Sequence, residues 1–474
     1  MSQIKFGTSG WRGVIAEDFT FERARVVCQA IADYLHDEGV AEGGVVIGYD
    51  TRFLGRRFAE EAARVLTGSG IRVFLCDRDT PTPVIAHEIL RRRAAGAINF
   101  TASHNPGEYN GLKFSTAWGG PALPETTRDI EQRANSMLGE MTYRELTFGQ
   151  ARQQGLLKDI DPGESYRDKL RDLIDFRAIH SAGMRVAVNP LYGTGRGYLD
   201  RLLLEAGVAV ATVNGQPDPC FGGFPPEPAE ENIQDFIQLV RDDEGITLGL
   251  ATDGDADRFG ILDADGSYIQ PNYVLALLAD YLLSVREEKG ALARSVATSH
   301  FLDAVAACHG QELLETPVGF KYIGEYIRDD RILIGGEESA GLSIRGHVPD
   351  KDGILACLLV AEMVARTGKS LKQLLDALYR KVGTFHTRRI NLQLTSGLEA
   401  AYADKVAATP DSIAGRRITD VVTVDGTKFL LENGCWVLFR KSGTEPVVRV
   451  YAEASTEDEL NEILQAAKGF ILEN

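Results

Sequence analysis

The sequence predicts three related α/β domains with largely parallel or mixed sheets, followed by a smaller C-terminal α+β domain. Two observations carry this. A strand–helix–strand unit recurs three times along the first four-fifths of the chain, and such alternation is the grammar of α/β sheets. Beyond about residue 388 the pattern changes to short strand-like runs closed by one amphipathic helix. A length of 474 residues accommodates several such domains.

The first unit begins with the apolar run 45–49, a strand, and turns at Asp50-Thr51-Arg52. A helix over 57–67 ends at Gly68 and Gly70, and 71–76 is the next strand. Residues 94–100, AAGAINF, read as a further buried strand. The second unit has a strand at 184–189, a glycine loop at 192–197, a helix at 198–205 and a strand at 208–213. The third runs from Val296 through a helix at 301–308 to a strand at 313–315. The apolar runs 273–285 and 354–364 are shorter than a membrane span and are interrupted by Asp280 and Glu362, so they read as core helices. An amphipathic helix at 371–379 precedes a break near 381–387, and the last segment has strand-like runs at 421–424, 436–439 and 447–452 before a helix at 458–472. The expected domains are 1–158, 159–264, 265–383 and 384–474.

Hydrophobic content of 44% and charged content of 25% are those of a globular protein with a large core. The six cysteines are scattered, with no CxxC pair or zinc spacing, and read as free thiols of a reducing compartment. The N-terminus shows no apolar signal region, so a cytoplasmic location is expected. A net charge of −17 argues against a nucleic-acid or anionic-membrane partner. A phosphorylated substrate would then require cations gathered locally.

Such gatherings exist. Thr101-Ala102-Ser103-His104-Asn105-Pro106 places a hydroxyl at a strand end, with an imidazole beside it and the Lys113 ammonium ten residues on. Serine is a useful nucleophile only when a base or cation adjusts its protonation. Asp253-Gly254-Asp255-Ala256-Asp257-Arg258 sets three carboxylates at spacing two after an apolar strand. Like charges so close call for a divalent cation, and hard oxygen ligands favour Mg²⁺ or Ca²⁺. An EF-hand is excluded, because Arg258 stands where glycine is required and Ala264 where the final acid is required.

Arg440-Lys441-Ser442-Gly443-Thr444-Glu445-Pro446, with Arg449 beyond, reads as a phosphate cradle: glycine admits backbone N–H groups to an anion, hydroxyls donate, and arginine binds phosphate bidentately. Gly335-Gly336-Glu337-Glu338-Ser339 supplies an acid and a hydroxyl suited to sugar hydroxyls. Near it lie Lys321, Arg345, His347 and Lys351, and Arg12 sits in the N-terminal glycine turn from Thr8 to Gly13. Gly193-Thr194-Gly195-Arg196-Gly197 lacks the final glycine and ribose acid of a dinucleotide fingerprint.

Four of these motifs, TASHNP, DGDxDR, GEES and RxSGTEP, stand in an order that resembles the α-D-phosphohexomutase superfamily, and the likeness spans Arg12 to Arg449. The resemblance implies four domains around a deep cleft. It also implies a phosphoserine at Ser103, and Mg²⁺ held by Asp253, Asp255 and Asp257 together with an oxygen of that phosphoserine. The activity implied is a phosphoglucomutase working through a bound glucose 1,6-bisphosphate. Arg12, His104, Lys113 and His347 are then the candidate catalytic residues beside Ser103, with Lys113 a candidate general acid/base. Glu337, Ser339, Lys321, Lys351, Arg258, Arg440, Ser442, Gly443, Thr444 and Arg449 are the candidate substrate contacts. GEES with Val318-Gly319-Phe320-Lys321 is most like the glucose branch, whereas the tail from Arg345 to Gly353 departs from the animal glucose enzymes. A phosphomannomutase or a dual glucose/mannose mutase is therefore the alternative, and a non-catalytic hexose-phosphate binder or a phosphatase the more distant ones. A monomer or dimer is expected.

Overall fold

The structure is a computed structural model, and it describes residues 3–7, 9–394, 402, 405–441 and 447–472. Its strands form four separate sheets among these residues. In the first, Gly96–Phe100, Val45–Tyr49, Val73–Cys76 and Leu157–Ile160 run parallel, and Tyr109–Thr116 and Gly10–Val14 continue the sheet antiparallel beside Gly96–Phe100. Val45–Tyr49 and Gly96–Phe100 are buried at every position, as strands covered on both faces must be. Leu157–Ile160 spans the boundary expected at residue 158 and belongs to this sheet.

The second sheet repeats the plan. Leu248–Thr252, Arg185–Asn189 and Ala209–Thr212 are parallel, and Phe259–Asp263 returns antiparallel along Leu248–Thr252. In the third, Leu313–Thr316, Ala291–Ser295 and Ile332–Glu337 are parallel and Gly341–Ile344 returns along Ile332–Glu337. The strand expected from Val296 lies five residues earlier. Arg294 disguises it in the sequence, but this arginine is buried and paired with Asp303 and Glu315 at 2.5 Å each. The fourth sheet is antiparallel throughout and is backed by the helix Glu457–Leu472.

A common device follows from this plan. In each of the first three sheets a parallel strand is followed by an antiparallel return, and the turn between them projects from the strand's carboxyl end. Ligands of α/β sheets bind at such ends. The three turns are 101–108, 253–258 and 338–340, which carry the serine, aspartate and GEES motifs. Domains two and three also share one core, in which the helices Pro271–Ser284 and Gly353–Thr367 join Val186, Leu250 and Ile334.

Candidate active site

Ser103 sits in the left-handed region at φ 53°, with its N–H donating to Thr101 Oγ1 at 2.8 Å. Arg52 fixes the loop. Its guanidinium donates to the backbone carbonyls of Ser103, Asn105, Pro106 and Tyr109 at 2.5–3.1 Å and pairs with Asp50 at 3.1 Å, both side chains being fully buried. Phe221 of the second domain lies under the same guanidinium, 4.8 Å from ring centroid to Cζ. Removing this fork leaves Asp50 charged, buried and unpaired together with orphaned carbonyls. Arg52→Ala is therefore expected to lose about 3–5 kcal/mol of stability, read by urea denaturation, and a loss below about 1 kcal/mol would contradict this role.

The aspartate loop meets the serine loop directly. Ser103 Oγ donates to Asp253 Oδ2 at 3.1 Å, and a Cβ on Gly254 would stand 2.9 Å from the Ser103 carbonyl oxygen, so the approach requires glycine. Asp253, Asp255 and Asp257 are buried, each offering a carboxylate oxygen within 4.8 Å of the other two. Among the described residues, Asp255 Oδ1 and Asp257 Oδ1 are buried without a hydrogen-bond partner, as oxygens reserved for a hard cation would be. The donor set fits a divalent cation. Burial, with Asp257 and Asp255, pushes the Asp253 carboxyl well up. Asp257 is held well down against its own burial by Lys113, Lys351 and Arg258.

Cations from three domains converge here, answering the acidity of the chain as a whole. Lys113, on the return strand Tyr109–Thr116, lies 2.6 Å from Asp255 and 3.0 Å from Asp257, and Lys351 of the third domain is also 3.0 Å from Asp257. Burial opposes the charge on Lys113, but the two carboxylates hold its ammonium above the ordinary lysine value. Arg12, brought beside the loop by the pairing of Gly10–Val14 with Tyr109–Thr116, donates to Asn105 Oδ1 at 2.5 Å. Its pKa falls to about 10 through burial and the nearby Arg258. Arg258 itself pairs with Glu227 at 2.8 Å and donates its N–H to Asp253 at 3.0 Å. His104 Nδ1 lies 3.5 Å from Ser103 Oγ, and burial with Arg258 and Arg12 keeps the imidazole neutral.

His347 lies elsewhere in the hydrogen-bond network. Its ring is fully buried, with Nε2 2.6 Å from Asp352 Oδ2, which also accepts from Tyr166 at 2.7 Å. Asp352 in turn caps the helix Gly353–Thr367. In the GEES loop Glu337 is buried and accepts from Gly319 N–H at 2.7 Å, and Ser339 is half-buried in the turn that follows. Glu338 turns away toward Ser295 and Thr298, at 3.2 and 3.3 Å. Lys321 is partly buried on the helix Phe320–Arg328, facing Glu125 and Arg128 of the first domain as well as Glu337.

Arg440 and Arg449 are direct cross-strand partners on Trp436–Lys441 and Val447–Ala454. Like charges so placed repel unless an anion joins them. Ser442, Gly443 and Thr444 lie outside the described residues, as does Thr8. The tempting glycine loop at 193–197 serves packing: Thr194 N–H donates to the Gly254 carbonyl at 3.0 Å, and Arg196 pairs with Asp79 at 2.5 Å.

Sequence reasoning passed over Arg52, Thr82, which donates to Asp255 at 2.5 Å, and the Tyr166–Asp352 pair. For Arg52 a signal existed, because Asp50-Thr51-Arg52 is a charged pair at the end of a fully apolar strand. Thr82 and Tyr166 give none, since their partners are 173 and 186 residues away.

The four domain families described as phosphoglucomutase/phosphomannomutase alpha/beta/alpha domains I, II and III and C-terminal domain match residues 3–138, 164–266, 270–382 and 390–468. A relative in Thermococcus kodakarensis named phosphoglucomutase/phosphomannomutase is 34% identical, covering 97% of this chain and 96% of its own. A probable phosphoglucosamine mutase of Methanosphaera stadtmanae is 31% identical over 98% of each chain. The crystal structure of a putative phosphomannomutase from Thermus thermophilus superposes with a TM-score of 0.86 at 32% identity, covering 99% of both chains.

Proposed function

The chain belongs to the phosphoglucomutase/phosphomannomutase family, and from that premise we propose that it is a Mg²⁺-dependent phosphoglucomutase. It interconverts glucose 1-phosphate and glucose 6-phosphate through a phosphoserine at Ser103 and a bound glucose 1,6-bisphosphate. The observation that carries this reading is that Ser103 Oγ meets the aspartate triad, around which four buried or half-buried cations gather, Arg12, Lys113, Arg258 and Lys351.

In the resting enzyme Ser103 carries a phosphoryl group. Glucose 1-phosphate binds with its C1 phosphate on Arg440, Arg449 and the loop bearing Ser442, Gly443 and Thr444, which leaves O6 facing Ser103. The O6–P bond forms as the Oγ–P bond breaks, and the O6 proton passes to a base. His104, neutral and 3.5 Å from Oγ, can accept it, whereas Lys113, charged between two carboxylates, serves better with Arg12 to neutralise the transferring oxygens. Mg²⁺ held by Asp253, Asp255 and Asp257 supplies further charge neutralisation at the phosphoryl group. The bisphosphate then turns over within the cleft, its C6 phosphate taking the place on the arginines. The O1–P bond breaks as Oγ–P re-forms, the proton returns to O1, and glucose 6-phosphate leaves.

Glu337 and Ser339 hold ring hydroxyls in both orientations. Burial, with Glu338 nearby, raises the Glu337 carboxyl to about 7. An acid with a raised pKa is neutral below that value and charged above it, so folding stability attributable to Glu337 declines as pH rises from 4.5 toward 7. A carboxylate is the better acceptor for sugar hydroxyls. KM is therefore expected to fall as pH rises through about 7, and Glu337→Gln to flatten that dependence; an unchanged profile in the variant would assign the titration to another group.

A dual glucose/mannose mutase is the second reading, favoured by the double name of the Thermococcus relative. Rates with glucose, mannose and glucosamine 1-phosphates, measured with Mg²⁺ and trace hexose 1,6-bisphosphate, decide between them. A strong preference for glucose supports the proposal, comparable glucose and mannose rates support the dual enzyme, and a preference for glucosamine overturns both.

A further inference from the structure

We infer that Asp425, in the turn before Thr427–Leu431 of the C-terminal domain, is a positioning residue that couples the phosphate-binding arginine to the sugar-recognising loop. This rests on the reading of Arg440 as a phosphate ligand and goes beyond it. Asp425 Oδ2 lies 3.0 Å from Arg440 Nε and also accepts from the Val318 N–H of the third domain at 3.0 Å. The next residue in that loop, Gly319, donates its N–H to Glu337. One carboxylate thus joins the guanidinium expected to hold the remote phosphate to the backbone that holds the sugar-reading acid, across a domain boundary.

The placement of Asp425 is built in. A Cβ on Gly426, at φ 86°, would stand 2.5 Å from the Phe439 carbonyl and 3.2 Å from Arg440 Cα, so only glycine lets this turn press against the arginine's strand. The sheet face carrying Trp436, Leu438 and Tyr451 packs on Val296 and Ala297 of the third domain, and Val318 packs against the same cluster. Its charge also acts on Lys321, so it faces two cations that the function assigns to substrate. An ion pair at this edge of the guanidinium restrains the group beside the turn, so it has less freedom left to lose when it meets a phosphate. The carboxylate thereby orders Arg440 before substrate arrives and ties that order to the Val318–Gly319 backbone.

The test is a double-mutant cycle on the full-length enzyme with hexose 1-phosphate. Asp425→Ala, which removes both contacts, is expected to raise KM about tenfold or more, with kcat changed far less, because the interaction is made equally in ground and transition states. Asp425→Asn keeps an acceptor for Val318 N–H and is expected to recover part of the loss, with thermal melting confirming that both variants are folded. In an Arg440→Ala background the Asp425→Ala change is expected to add little. If Arg440→Ala leaves KM unchanged, the phosphate-site reading itself fails. If Arg440→Ala raises KM but Asp425→Ala does not, or its effect is the same with and without Arg440, the coupling is overturned while the phosphate site stands.

Discussion

Replacing Ser103 with alanine is expected to abolish isomerisation, lowering kcat by on the order of 10⁴-fold or more, the scale on which loss of a nucleophile acts. The fold should survive. Alanine has the same Cβ as serine at φ 53°, the N–H contact to Thr101 Oγ1 is unaffected, and the Arg52 fork grips carbonyl oxygens rather than the side chain. The Oγ–Asp253 hydrogen bond and the longer contact with His104 Nδ1 go, a change of about 1 kcal/mol in stability. Thermal melting together with the rate assay separates loss of chemistry from loss of structure. Activity retained in Ser103→Ala would move the nucleophile elsewhere.

Asp253→Asn is the second large effect. Asparagine keeps the size, its one oxygen can accept from the Arg258 backbone N–H while its Nδ2 donates to Ser103 Oγ, and it removes one of three clustered charges. The rate is expected to fall by about 10²–10³-fold, as when one electrostatic partner of a transferring group is lost. A readout independent of catalysis accompanies it. At a Mg²⁺ concentration of 100 times Kd the parent protein should gain about 2.7 kcal/mol, reversed by chelator, whereas the variant gains little or nothing. Without metal the variant should be at least as stable as the parent, since fewer like charges are buried together. A variant that keeps the full Mg²⁺ stabilisation would contradict a site at the triad.

What the sequence made legible was local. The runs at 94–100, 246–251 and 332–334 announced strands because strands buried on both faces must be apolar throughout, and each ended at a polar motif because the chain turns back there. The serine, aspartate and GEES motifs therefore stood out in sequence. What stayed hidden depended on partners far along the chain. Arg294 looked like an interruption until Asp303 and Glu315 neutralised it inside the sheet. Leu157–Ile160 is buried only at its two ends and carries the exposed Lys158 and Asp159 between them at the edge of the sheet, and so resembled a boundary. The core common to the second and third domains was equally invisible, because periodicity marks an apolar face and not the surface that covers it. The link of Lys351 to Asp257 belongs to the same class.

The most direct test of the account is a phosphoryl chase. Glucose 1,6-bisphosphate labelled with radioactive phosphate would be incubated with the enzyme and Mg²⁺, the protein digested and the labelled peptide sequenced. A second portion would be chased with unlabelled glucose 1-phosphate. The expected result is label on Ser103 alone, passing on chase into hexose phosphate with negligible inorganic phosphate. Label absent from Ser103 while isomerisation proceeds, or label released steadily as inorganic phosphate, would contradict a mutase working through this serine.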